Sequence, residues 1–156
     1  MQVKDIMQSN VRSVKKGTTL SQLLISFKDF HSFPIVPVVD QEMVLLGTVH
    51  ICSFFEIFQP HQDLLMRNPL SMISREPTDI FNVDIEEGMG FLIIMADIMD
   101  TKIVKIEQSA DIRKAFDLMQ LHQKTAIPVV DDQKKLVGII SIFDIVMKIF
   151  HEKGLI

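Results

Sequence analysis

Pro37-Val38-Val39-Asp40 recurs as Pro128-Val129-Val130-Asp131, and this repetition decides the fold. An internal repeat constrains architecture more strongly than any local motif, so its extent is traced first. Upstream, Asp5-Ile6-Met7 returns as Asp97-Ile98-Met99, and downstream Gly47 returns as Gly138. Between these anchors Leu20, Leu23, Leu24 and Phe27 lie at helical spacing. Ile112, Ala115, Phe116 and Met119 reproduce them position for position, and His31 and His122 follow the two stripes. The spacing drifts by one residue before the Pro-Val-Val-Asp strand, so the first copy carries an extra loop residue near Phe33-Pro34. Matches in this order make the chain a duplication. Copy 1 spans residues 1–58 and copy 2 spans 95–150, with 59–94 inserted between them and 151–156 left as a C-terminal tail.

Each copy predicts the same elements. A short extended piece, Val11–Val14 or Ile103–Ile106, enters a turn containing Gly17 or Ser109, where Thr18 and Ser109 are the expected helix caps because a side-chain oxygen accepts from a free first-turn amide. The amphipathic helix follows with its apolar stripe turned inward. The β-branched runs Ile35–Val39 and Ile127–Val130 are continuously hydrophobic, as strands buried on both faces are. Asp40–Glu42 and Asp131–Lys135 make hairpin turns into Val44–Ile51 and Leu136–Ile142, and the helices Ser53–Phe58 and Ile142–Phe150 close the copies. One copy is too small to cover its own sheet. The expected fold is therefore α/β: two βαββα copies in pseudo-two-fold contact, small mixed sheets flanked by helices, and a ligand-sized cleft between them.

Composition narrows the function classes. With 156 residues and 47% hydrophobic content there is material for a real core. A net charge of −4 gives no basis for nucleic-acid binding, and the Lys15-Lys16 and Lys134-Lys135 pairs fall in turns. A single cysteine, Cys52, excludes an intramolecular disulfide framework and fits a reducing compartment. No basic–apolar leader opens the sequence, and apolar runs such as Phe91–Ala96 are too short to span a bilayer, so a cytoplasmic protein without membrane contact is expected.

Copy 2 ends its hairpin with Gly138-Ile139-Ile140-Ser141-Ile142-Phe143-Asp144-Ile145. Together with Pro128-Val129-Val130-Asp131 and Asp97-Ile98-Met99, this stretch resembles the CBS domain, here as the tandem pair called a Bateman module. The resemblance covers about residues 1–58 and 95–150. It implies a non-catalytic regulatory module that binds an adenosine-containing ligand: AMP, ADP, ATP, S-adenosylmethionine or a cyclic dinucleotide. It implies no prosthetic group. It also implies a homodimer and a protein partner that reads a conformational or dimer change; a structural assembly module with a vestigial site is the alternative.

The chemistry suits such a ligand. Asp144, in the first turn of a helix, is a carboxylate favoured by the helix N-terminus and accepts two hydroxyls of a ribose diol. The Ser141 hydroxyl and neighbouring free amides meet phosphate oxygens. The same two residues also read as an ordinary helix cap and first-turn acid. By similarity to the family, the base lies against Ile103 and Val104, and the loop Thr125, Ala126 and Ile127 completes its pocket. Copy 1 departs from the pattern: Gly47-Thr48-Val49-His50-Ile51-Cys52-Ser53 places His50 at the serine position and Ser53 at the aspartate position. Ser53 offers a ribose no charged acceptor, and His50, able to donate to a phosphate when protonated, reads first as a surface or packed histidine, so one competent site or two unequal ones are expected.

The remaining features have plain readings. The five histidines show no i, i+4 pair and no H-E-x-x-H pattern, so no metal site is expected, and His31 and His122 read as residues near helix C-termini. Asp131-Asp132 belongs to a turn. Cys52 has no evident base beside it and reads as a small buried hydrophobe. In the insert, Pro60, Pro69 and Pro77 punctuate a segment too apolar for a floppy linker, which predicts one or two short helices packed on the module.

Overall fold

In the computed structural model the described residues are 1–57 and 87–156. The two Pro-Val-Val strands are β1 (Val36–Val39) and β4 (Ala126–Val130), and Val36 through Val39 and Ile127 through Val130 are all buried. Each folds back as an antiparallel hairpin onto β2 (Leu45–Val49) or β5 (Leu136–Ser141). The turns are built alike. Asp40 Oδ1 accepts from the Glu42 and Val44 amides at 2.9 and 2.8 Å, and Asp131 Oδ1 accepts from the Gln133 and Lys135 amides, both at 2.9 Å. Met43 and Lys134 then adopt φ of 68° and 65°, and the register shifts at Val38/Val39 and Val129/Val130. This is a bulged hairpin written twice.

The lead-in segments pair less than the expected strands. Only Ile106–Glu107 of the second forms a strand, β3, parallel to β4; the first contributes one parallel bridge, Val14 to Val38. The helices that follow are α1 (Leu20–Ser26) and α5 (Ile112–Leu121). Their caps are Thr19 and Asp111 rather than Thr18 and Ser109: Thr19 Oγ1 accepts from the Gln22 amide, and Asp111 Oδ1 from the Arg113 amide at 2.9 Å. Thr18 instead closes the preceding turn by accepting from the Lys15 amide. His122 is the C-cap of α5, as its position suggested, whereas α1 ends early and leaves His31 exposed beyond it. Helices α2 (Ile51–Ile57) and α6 (Ile142–Glu152) complete the copies.

The copies are interleaved. Residues Val3–Asp5 form a 3-10 turn whose Val3 is fully buried among Ile106, Ala115, Met119, Ile127 and Ile140 of copy 2. Reciprocally, α4 (Met95–Ile98) buries Met95 and Ile98 among Leu20, Leu23, Val36 and Val49 of copy 1. Gln8 pairs with Ile139, and Asp100 pairs with Thr48, each through two backbone hydrogen bonds. Each Asp-Ile-Met segment thus completes the core of the other copy. The hairpins meet through equivalent residues, Val39 and Leu45 against Val130 and Leu136, flanked by Val11 and Ile103, as a two-fold contact requires.

From the insert, the short helix α3 (Met89–Leu92) precedes α4 and packs on α1, where the Leu20 amide donates to the Ile93 carbonyl at 2.8 Å. The helices expected further upstream in the insert, with Pro60, Pro69 and Pro77, lie outside the described residues. No helix among the described residues is long and apolar enough to cross a membrane.

Candidate functional site

A cleft of about 790 Å³ opens where the two copies meet. One wall is the end of β5 and the start of α6. Ser141 is the N-cap of α6 and Asp144 its third residue, and the pair forms a reciprocal capping box. Asp144 Oδ2 accepts from the Ser141 amide at 2.8 Å and from its hydroxyl at 2.6 Å, while Ser141 Oγ accepts from the Asp144 amide at 3.1 Å. Ser141 and Asp144 thus cap α6 and line the cleft at once. Asp144 Oδ1 accepts from the Gln8 side-chain amide at 3.0 Å. Thr125 and Ala126 stand beside this corner, since Ala126 pairs with Ser141 across β4–β5 and the Thr125 carbonyl accepts from the Ile142 amide.

The facing wall comes from copy 1. Val11, Arg12, Phe27, Phe30, Phe33 and Pro34 line it. Phe27 meets Phe30 and Phe33 edge-on, with ring centroids 4.9 and 5.3 Å apart, a favoured aromatic geometry. The Arg12 guanidinium lies over Phe30 at 5.1 Å and donates to the Ser26 carbonyl at 2.8 Å, where the unpaired carbonyls at the end of α1 attract a cation. Among the described residues, the charged side chains lining the cleft are Arg12 and Lys124 and the carboxylate of Asp144.

Five of the residues expected from sequence line this cleft: Ser141, Asp144, Thr125, Ala126 and His50. Three do not. Ile127 is buried in the copy 2 core opposite Ile140; Val104 packs on that core, and Ile103 packs between the hairpins. The reason is the two-fold relation: the end of one hairpin faces the lead-in segment of the other copy, so Val11 and Arg12, the counterparts of Ile103 and Val104, take that place. Gln8, Arg12 and the phenylalanine wall are cleft residues that the sequence pattern does not single out. A signal existed in the repeat alignment, where Arg12 replaces an apolar residue and the extra loop residue falls beside Phe33-Pro34.

At the copy 1 corner, Ser53 is buried and its hydroxyl accepts from the His50 amide at 3.3 Å, a neutral version of the Ser141–Asp144 box. His50 Nε2 is buried without a hydrogen-bond partner among the described residues. Cys52 is exposed on the cleft wall, not buried, because Ser53 takes the inward position in the first turn of α2. Among the described residues no group of three His, Cys, Asp or Glu gathers as a metal site.

The chain is 43% identical over 49 residues to a homoserine O-acetyltransferase from Methanosphaera stadtmanae, a stretch covering 31% of this chain and 10% of that protein. Among solved structures, CBSX2 in complex with AMP superposes with a TM-score of 0.70 at 21% identity, covering 97% of this chain and 98% of that one. A CBS domain-containing protein from Bacillus anthracis gives 0.69 at 18% identity, covering 98% and 94%. The cytosolic domain of the Mg2+ channel MgtE in complex with ATP gives 0.65 at 20% identity, covering 94% of this chain and 48% of that one. The CBS domain family matches residues 3–59 and again residues 95–151. The chain belongs to the CBS domain family and carries its repeat twice.

Proposed function

We propose that the chain is a non-catalytic regulatory module that binds an adenosine-containing ligand in the cleft between its copies. The observation that carries this reading is the placement of Asp144 and Ser141 opposite an aromatic wall and Arg12 in one cleft, whose volume suits a small-molecule ligand. The carboxylate takes the ribose hydroxyls, the apolar wall covers the base, and Arg12 and Lys124 face phosphates. The excess of cations favours AMP, ADP, ATP or a cyclic dinucleotide over S-adenosylmethionine, whose sulfonium adds positive charge. The AMP and ATP held by two proteins of the same fold support the ligand class. His50 offers at most a weaker phosphate contact.

Signalling follows if the ligand favours one geometry of the copies over another, since only differential affinity shifts an equilibrium. A homodimer provides the second geometry. The exposed stripe Phe143, Val146, Met147 and Phe150 on α6 gives a copy of this chain an apolar surface to cover. The protein partner that reads the change belongs to the same cytoplasmic setting. The second reading, an assembly module with a vestigial site, draws on the capping box that already occupies Ser141 and Asp144.

A thermal-shift panel separates the two. Millimolar AMP, ADP, ATP or a cyclic dinucleotide raises Tm of the wild type by mass action on the folded state, and Asp144→Ala abolishes the rise. No shift with any adenosine ligand, and a dimer indifferent to all of them, would leave the assembly reading.

A further inference from the structure

Asp144 spends most of its acceptor capacity inside the chain. A carboxylate offers about four lone-pair sites over two oxygens. Ser141 fills those of Oδ2 through its amide and hydroxyl, and the Gln8 amide takes one on Oδ1 at 3.0 Å. A diol needs two acceptor sites, and only one is left.

The partners differ in how readily they yield. The Ser141 contacts close the first turn of α6 and are returned by the Asp144 amide, so losing them frays the helix. Gln8 is exposed and reaches Asp144 by one flexible side chain. Its backbone is fixed independently, the amide and carbonyl each 2.9 Å from their Ile139 partners. The side chain swings away without moving the strand. Resting on the reading of the cleft as an adenosine site, we propose that Gln8 is a built-in competitor for the ligand's diol, its amide holding the acceptor that the ribose needs and so setting the affinity of the cleft. Copy 1 lacks the device: Asp100 stands at the Gln8 position, Ser53 stands at the Asp144 position, and Asp100 Oδ1 accepts from the Lys102 amide.

Calorimetric titration tests this with AMP, ATP and their 2′,3′-dideoxy counterparts on wild type, Gln8→Met and Asp144→Ala. Methionine keeps the length of the side chain and removes the donor. One exposed hydrogen bond corresponds to a gain of about 3- to 10-fold, so Gln8→Met binds AMP or ATP that much more tightly than wild type. The dideoxy nucleotides, having no diol, bind wild type and Gln8→Met equally, and Asp144→Ala binds weakly throughout. Unchanged or weaker binding of the ribonucleotides to Gln8→Met, or an equal gain for the dideoxy forms, overturns the competitor and leaves the adenosine reading standing. No binding of AMP or ATP to wild type or Gln8→Met overturns both.

Discussion

A β-carbon built on Gly138 falls 2.7 Å from Met7 Sδ and 2.9 Å from the Gln8 carbonyl oxygen, and one on Gly47 falls 2.8 Å from Met99 Sδ and 3.0 Å from the Asp100 carbonyl. The flexible thioether can give way, but the carbonyl is held in a backbone pair with the opposite strand. Gly138→Ala is therefore expected to destabilise the chain by about 1–3 kcal/mol, the range for an overpacked site, in urea denaturation. Gly17→Ala is the control, because nothing lies within 4 Å of its added carbon and its φ is not positive. It is expected to be neutral or to stabilise by up to about 1 kcal/mol, through the unfolded chain. Both glycines and both methionines were legible as repeated residues. Their pairing across copies was not, because a repeat aligns equivalent positions and says nothing of which copy an equivalent position touches.

At the scale of the elements, the same exchange makes α4 a part of the first core. Met95 is fully buried there, so Met95→Ala is expected to cost about 2–5 kcal/mol. Hydrogen exchange localises the effect: amides of β1 and β2 lose protection first, although Met95 belongs to copy 2 in the chain. Loss confined to β4 and β5 would contradict the interleaving. The link between β3 and the second hairpin turn carries a pH signature. The Lys134 ammonium, 2.7 Å from Glu107, holds that carboxyl below the usual carboxylate range by a hydrogen bond and by its charge. A depressed folded pKa contributes stability above the unfolded value and loses it as pH falls through the folded one. The Tm difference between wild type and Glu107→Gln is thus expected to be small at neutral pH, because the pair is exposed, and to vanish in acid. A gap that persists unchanged in acid would contradict it. The hairpin strands and closing helices of both copies were legible from hydrophobic period within about two residues, but the lead-in segments were not, since only Ile106–Glu107 pairs as a strand. The caps were not, since Thr18 and Thr19 are chemically equivalent candidates and only the turn geometry assigns one to the helix.

For the whole molecule, duplication explains why a cleft exists, and divergence explains why its two corners differ, Ser141 and Asp144 at one and His50 and Ser53 at the other. Ser141 and Asp144 stood out because they follow Gly138 at the spacing on which the CBS resemblance rests, a spacing that copy 1 fills with His50 and Ser53 instead. Resemblance to the family set Ile103 and Val104 against the base, whereas the two-fold contact places their copy 1 counterparts, Val11 and Arg12, on the cleft wall opposite Asp144. Arg12→Ala is expected to weaken AMP binding about 10- to 100-fold, the scale of a charge-assisted contact, with little change in ligand-free Tm. The central claim is that the cleft holds an adenosine ligand at Asp144. Isothermal titration of AMP and ATP into wild type, Asp144→Ala and His50→Ala tests it most directly. The account predicts a principal site for at least one of the two nucleotides in wild type, retained in His50→Ala and weakened at least 10-fold in Asp144→Ala. Binding that survives Asp144→Ala undiminished, or no binding of either nucleotide to the wild type, would contradict it.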